Sequence, residues 1–292
     1  MKIILSKLPE SGWWRSGVPK YNDNPAMKQG EIPNINLLVK ERDYLIKTIK
    51  EEGHEIIELD FPKQLDAKNP NHDFVFIRDP FISNQNGKVI ILRAGETARR
   101  MENKVVKNLL KQLQVSICEM PNKSGWRADG GEFFYCANNK VLFSGLKRNT
   151  LKGVDFVAKE LNVNEIVLLK GEGFHLDTFF TPVLNKNGRI VALIVCEKIL
   201  HPQSKKNLFN YADENNIPIF NIPENDALGT KKQTGKFAVN ALPLPGVLLR
   251  PAYFSNPIID EKLNELGVKI KITPTSQFQL SGGSVHCVTN EL

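Results

Sequence analysis

Five polar residues recur along the chain at nearly even intervals, each at or near the start of an apolar, strand-like run: Asp79, Asp129, Asp177, Asn240 and Cys287. From 79 to 129, 177, 240 and 287 the steps are 50, 48, 63 and 47 residues. A period near fifty, carried through five units, marks a repeat architecture. Four of the runs have the pattern of a β-hairpin. Phe74–Ile82 and Lys88–Arg93 flank Asn84-Gln85-Asn86-Gly87, and Glu132–Cys136 and Lys140–Phe143 flank Ala137-Asn138-Asn139. Thr178–Leu184 and Arg189–Val195 flank Asn185-Lys186-Asn187-Gly188, and Phe237–Pro243 and Gly246–Arg250 flank Leu244-Pro245. In the fifth, Gly282-Gly283 leads into an expected strand over Ser284–Thr289. Helical spacing of apolar residues falls at 35–52, 98–113, 153–162 and 257–266. Each unit therefore reads as strands plus a helix. Stacked radially, such units bring their strand starts together, so five residues spread along the chain line one pocket.

No linker or charge block divides the 292 residues, so residues 1–292 read as a single α/β domain. The four cysteines, at 118, 136, 196 and 287, have no CxxC spacing, which argues for free thiols in a reducing compartment. Only Ile3 to Leu5 form a strongly apolar run near the amino terminus, too short for a signal peptide core, and nowhere do 18 apolar residues follow one another. The expectation is a cytoplasmic protein without membrane association. A net charge of +7 invites a nucleic-acid reading, but the densest basic stretches, Lys205-Lys206 and Lys231-Lys232, are short and lack interleaved aromatics. No nucleic-acid partner is expected.

Cys287 stands apart from the other cysteines because a glycine pair precedes it, letting the backbone approach a ligand. A thiol nucleophile needs a nearby cation or a lowered pKa and an acid/base within reach. His175 is the candidate: in an extended segment it shares a face with Asp177, two residues on, whereas alternation turns His286 away from Cys287. Asp129 heads Asp129-Gly130-Gly131-Glu132, and Asp79 lies among apolar residues, where a charge needs a partner. An Arg78–Asp79 pair is not expected, since strand neighbours face opposite ways. Three carboxylates at one pocket demand a cation among them. One histidine and one thiol on separate units make a poor metal site. A planar guanidinium fits better, because it presents donors in a fixed fork and offers a carbon that a thiolate can attack. No cofactor is expected.

Phe76-Ile77-Arg78-Asp79-Pro80, Asp129-Gly130-Gly131-Glu132, His175-Leu176-Asp177-Thr178 and the closing Gly-Gly-x-x-His-Cys together resemble the guanidino-group-modifying enzymes. That superfamily includes arginine deiminase, dimethylarginine dimethylaminohydrolase and the amidinotransferases. The resemblance implies a five-bladed, pseudosymmetric β/α propeller. It also implies a Cys287 nucleophile, His175 as acid and base, and Asp129 as its orienting partner. Asp79, Asp177 and Asp73 are then substrate-binding residues. Leu92-Arg93-Ala94-Gly95 and Gly145-Leu146-Lys147-Arg148-Asn149-Thr150 are similar to carboxylate-binding segments of the dimethylarginine hydrolase, which marks Arg93 and Arg148 for a substrate α-carboxylate. Arg78 and Asp177 instead resemble the deiminases and amidinotransferases, since the hydrolase has an acid and a lysine there. The helical insertion of bacterial deiminases has no counterpart. Asp129, where deiminases carry Glu, matches the hydrolase. Asp79 stands where the arginine dihydrolases are expected to carry Asn, which ranks them lower.

The expected reaction is Cys-dependent hydrolysis of the guanidino group of arginine or a methylarginine through a covalent S-alkylthiouronium. The products are citrulline and ammonia or an amine. Amidino transfer to an acceptor amine is the alternative, and a non-catalytic basic binder has no need of His175 and Cys287 in register. The expected partner is a small guanidino substrate, with a homodimer left open. Ser11-Gly12-Trp13-Trp14-Arg15-Ser16-Gly17 reads either as a lid or as packing for its tryptophans.

Overall fold

Two turns show how the local sequence builds a blade. The side-chain carbonyl of Asn84 accepts the backbone N–H groups of Asn86 (2.9 Å) and Lys88 (3.0 Å). Asn185 does the same with Asn187 (2.9 Å) and Arg189 (3.0 Å). Gly87 and Gly188 complete these turns at φ 80° and 68°, in the left-handed region that side chains disfavour. The computed structural model describes residues 1–13, 25–66, 71–230 and 233–292.

Strands β1 (Lys2–Ser6) and β2 (Glu55–Leu59) belong to one blade; β3 (Phe81–Ser83), β4 (Lys88–Ile91) and β5 (Ser116–Glu119) form the next. There follow β6 (Phe133–Cys136), β7 (Val141–Gly145) and β8 (Glu165–Leu169), then β9 (Phe180–Leu184), β10 (Ile190–Val195) and β11 (Ile219–Asn221). The last are β12 (Leu242–Leu244), β13 (Val247–Arg250) and β14 (Lys269–Ile272), with β15 (Asn290–Glu291) at the carboxyl end. Five three-stranded sheets result, in the orders β3-β4-β5, β6-β7-β8, β9-β10-β11, β12-β13-β14 and β15-β1-β2. In every sheet the first strand runs antiparallel to the second and the second parallel to the third. A parallel return needs a crossover. Helices Ile35–Glu51, Arg100–Leu110, Leu151–Leu161, Pro202–Glu214 and Pro257–Glu265 supply it, one per blade. This is the five-bladed propeller of strands and helices.

Helix Ile35–Glu51 illustrates why the crossovers hold. Asn34 caps it by accepting the Leu37 N–H, and Leu38, Leu45 and Ile49 on one stripe are fully buried. Each contributes roughly 1.5–3 kcal/mol by leaving water. Trp13 is also packed, edge-on to Phe76 and against Phe278, with its Nε1–H donated to the His72 carbonyl. Trp14 to Gly17, the rest of the suggested lid, lie outside the described residues.

The structure departs from the sequence expectation in four ways. Each blade has a third strand that the hairpin pattern did not show. The fifth blade, for which the sequence showed one strand, is completed from the far end: β15 pairs with β1 (Ile3↔Glu291, Ile4↔Asn290), so the two ends of the chain close the ring. Finally, the expected strand at Ser284–Thr289 is a turn, with Val288 N–H bonded to Ser284 O and Thr289 N–H to His286 O. The expected strand start at Phe74 is likewise a 3-10 turn over His72–Val75 followed by a bend, and the strand begins only at Phe81.

Candidate active site

All five periodic residues sit in the bends that enter the first strand of a blade: Asp79 before β3, Asp129 before β6, Asp177 before β9, Asn240 before β12 and Cys287 before β15. Neighbouring bends are bonded to one another round the axis. Arg78 N–H donates to Cys287 O (3.1 Å), and Gly130 N–H to Asp79 O (3.0 Å). Leu176 N–H donates to Glu132 Oε2 (3.0 Å), and Asn240 Nδ2 to Asp177 O (3.1 Å). His286 N–H reaches Asn240 Oδ1 (3.0 Å) and closes the circle. The period read in the sequence is therefore a ring of hydrogen-bonded blade heads.

Inside that ring the side chains converge. Asn240 Nδ2 donates to Cys287 Sγ at 3.2 Å, and Sγ lies 3.4 Å from Asp177 Oδ2. His175 bridges two acids, with Nε2 3.2 Å from Asp129 Oδ2 and Nδ1 3.6 Å from Asp79 Oδ1. Asp79 also accepts the Gly131 N–H (2.9 Å) and an ion pair from Arg99. Arg99 is itself gripped by Glu102 through two 2.7 Å bonds. Asp129 accepts the Gly95 N–H (2.7 Å), which fixes the oxygen facing away from His175. Gly131 lies at the centre: a Cβ there would stand 2.7 Å from His175 Nδ1, 2.9 Å from Asp79 Oδ1 and 3.2 Å from Asp177 Oδ2.

Burial sets the electrostatics of the cluster. It pushes the Cys287 thiol well above its ordinary value, and Asp177 and Asp79 add to the shift. It also raises the Asp177 carboxyl to about 7, against the pull of His175. For His175 burial acts downward, but Asp79 and Asp129 outweigh it and lift the imidazole to about 9. For Asp79 burial acts upward, and His175 with Arg99 overcome it, holding the carboxylate below its usual range. The cation demanded by three convergent acids is thus supplied to Asp79 by Arg99 and His175. Asp177 differs: its Oδ1 is buried and has no hydrogen-bond partner among the described residues. A buried acceptor left unpaired is costly, and the other oxygen of the same carboxyl lies beside Cys287 Sγ and His286.

The sequence expectations fare unevenly. Cys287, His175, Asp129, Asp79 and Asp177 come together. Asp73 lies beside them, its carboxyl accepting the Ser281 hydroxyl and its carbonyl an Arg99 N–H. Arg93 stands apart, donating to Asn122 Oδ1 and Trp126 O, each at 2.9 Å. Arg148 pairs with Glu96, while its backbone N–H anchors Glu132. Arg78 pairs with Glu291 rather than Asp79, as expected, although the two lie in a turn and not in the strand assumed. His286 is not turned away: because its segment is a turn, its Nδ1 lies 2.8 Å from Asp177 Oδ2. Asn240 was expected to line the pocket but was given no chemical role, and Arg99 was missed as a site residue. The period already contained Asn240; Arg99 gave no signal beyond its place in the Leu92–Arg100 stretch.

A sequence model of the family described as N,N dimethylarginine dimethylhydrolase, eukaryotic, matches residues 22–292. The chain belongs to that family. With it the chain joins the guanidino-group-modifying superfamily that its motifs resemble. This family member is also 24% identical over 204 residues to the bifunctional arginine dihydrolase/ornithine cyclodeaminase ArgZ of Synechocystis sp.. That match takes in 69% of the chain and 26% of the relative, so the chain spans about a quarter of the curated protein's length. The N-terminal domain of ArgZ bound to product superposes with a TM-score of 0.77 at 22% identity, covering 99% of this chain and 96% of that one. DDAH from Pseudomonas aeruginosa, complexed with citrulline, gives a TM-score of 0.72 at 16% identity, covering 100% and 98%. At these identities the likenesses establish the shared propeller.

Proposed function

We propose that this dimethylhydrolase-family chain hydrolyses the unmethylated guanidino group of an arginine-type substrate, with Cys287 as nucleophile. The observation that carries the reading is the unpaired, buried Oδ1 of Asp177 beside a thiol already bonded through Oδ2. A guanidinium N–H satisfies that oxygen, and Asp79 on the other side of Gly131 takes a second. An N-methyl group pointed at either acid would forfeit a hydrogen bond.

Burial, with Asp177 and Asp79, holds the Cys287 thiol protonated, and the substrate's positive charge offsets the two carboxylates, so binding favours the thiolate. Attack on the guanidino carbon gives a tetrahedral adduct. His175, a cation in the resting site, passes its proton to a departing nitrogen, which leaves as ammonia and yields the S-alkylthiouronium. Water then gives a proton back to His175 as it adds to the carbon, and collapse expels Cys287 with a ureido product. Asp129 keeps the imidazole oriented and charged. In this reading Arg148, beside the Gly95 segment that touches Asp129, exchanges its Glu96 partner for a substrate carboxylate.

A second reading is arginine dihydrolysis, in which the ureido product is cut again to ornithine; it is favoured by the likeness to ArgZ. Arginine, methylated arginines and agmatine, each incubated with the enzyme while citrulline, ornithine and ammonia are quantified, separate these readings. Citrulline with one ammonia supports the first, ornithine with two ammonia the second. Product formed only after an amine is added supports amidino transfer instead. Turnover of methylarginines in preference to arginine contradicts the assignment of Asp177 and Asp79.

A further inference from the structure

Arg99 touches Asp79, yet no step of the reaction uses it. It is buried, and its guanidinium serves two carboxylates at once. Nε and Nη2 donate to Glu102 Oε1 and Oε2, each at 2.7 Å, and Nη1 pairs with Asp79 Oδ2. Nη2 also donates to the Asp73 carbonyl at 3.1 Å. A planar fork bonded on both sides cannot turn away.

Glu102 is braced in turn. It lies in the first turn of helix Arg100–Leu110, where the helix dipole favours an acid, and its Oε1 accepts an N–H of the Asn71 amide at 2.9 Å. The next residue, Asn103, donates to the Pro80 carbonyl at 3.1 Å, so the same helix end holds the backbone just after Asp79. Asp79 is thereby fixed from two sides, Oδ2 by Arg99 and Oδ1 by the Gly131 N–H, with Oδ1 turned to His175 Nδ1.

The charge of Arg99 matters as much as its reach. Charged and titratable groups bear on this pair from every side: His175 and Asp177 from the bend before β9, Cys287 from the bend before β15, Asp73 from the 3-10 turn and Glu102 from the helix. Asp177 shows what an acid of this cluster does without an arginine bonded to it: burial outweighs the pull of His175, and the carboxyl sits at about 7. Asp79 is as deeply placed and has the same His175 beside it, but with Arg99 bonded as well it stays below its usual range.

We propose that Arg99, braced by Glu102, is a positioning residue for Asp79: it aims the carboxylate at His175 and keeps it an anion able to accept a guanidinium. Arg99 acts through Asp79, and the role rests on the hydrolase reading above.

The test removes the pair together, because Arg99→Met alone strands a buried carboxylate at Glu102. Wild-type turnover of arginine is the control for the underlying reading, and its absence overturns both. Given turnover, Arg99→Met/Glu102→Gln is expected to unfold cooperatively and to lose about 10²-fold in kcat/KM. Without the cation, Asp79 joins Asp177 in taking up protons, so the acid limb of kcat/KM is expected to steepen to two protons and move to higher pH. Arg99→Lys keeps a cation but cannot bond both acids with one fork. Its acid limb is expected to match the wild type's while kcat/KM still falls. A folded double variant with the wild-type acid limb overturns the proposal, since a purely structural brace lowers kcat/KM equally at every pH. Wild-type kcat/KM in the double variant overturns it too. If the double variant does not fold, Arg99→Lys decides, and wild-type kcat/KM or a two-proton acid limb there overturns the proposal.

Discussion

In the proposed reaction two titrating residues, Asp177 and His175, govern the chemistry at the scale of single side chains. Asp177 must be ionised to accept a guanidinium, and its carboxyl sits at about 7, so kcat/KM falls as pH drops below that value. His175 must be protonated to release the amine, and it sits at about 9, so activity also falls as pH rises through that value. A bell-shaped kcat/KM profile with limbs near those two values is expected, since this quantity reports the free enzyme. A profile that is flat from 7 to 10 contradicts the His175 role. Asn240 holds Cys287 by three contacts, to its sulfur, its N–H and the N–H of His286. Asn240→Ala is expected to cost about 10²-fold in kcat/KM by letting the nucleophile drift, with KM changing little. Steady-state kinetics on arginine checks it.

The blade heads carry the next lesson, because they are bends rather than strands. A sequence pattern of alternating residues predicts faces only while the backbone is extended. His175 and Asp177 do both reach the site, but from a 3-10 turn over Leu176–Thr178 whose Leu176 N–H is held by Glu132. The same assumption misplaced His286. Hairpins were legible because Asn-x-Asn-Gly turns write their own hydrogen bonds. The third strands were not: β5 and β14, Ser-Ile-Cys-Glu and Lys-Ile-Lys-Ile, are short and partly exposed, and become strands through pairing with β4 and β13. Helix Pro202–Glu214 escaped notice because it buries only Ser204, Leu208, Tyr211 and Ala212, too little apolar surface for a clear stripe. At this scale Gly131 is the sharpest test. Gly131→Ala puts a methyl among His175, Asp79 and Asp177, and a loss of about 10²-fold in kcat/KM is expected with near-native circular dichroism. Wild-type activity in that variant contradicts the convergence of the three groups.

At the scale of the whole molecule, the period that organised the sequence is a closed ring, and the closure depends on the last residues. β15 pairs with β1, and the Asn290 side chain donates to the carbonyls of Ile77, Arg78 and Phe81. The carboxyl end thereby fastens the Cys287 bend to the Asp79 bend. Asn290→Ala leaves these buried carbonyls without their donor, so a loss of about 1–3 kcal/mol is expected in denaturant unfolding, with lowered activity. The fold class was readable from the period because five heads meeting at one axis need equal spacing. The closure was not, since nothing local to Lys2–Ser6 names a partner at the far end of the chain. In the proposed function this ring presents one thiol, Cys287, to a guanidinium. The most direct test is acid quench of the enzyme during turnover of arginine, followed by mass analysis of its peptides. An S-alkylthiouronium on the peptide containing Cys287, and on none containing Cys118, Cys136 or Cys196, is the predicted result. Turnover with no adduct on Cys287, or turnover that survives Cys287→Ser, would contradict it.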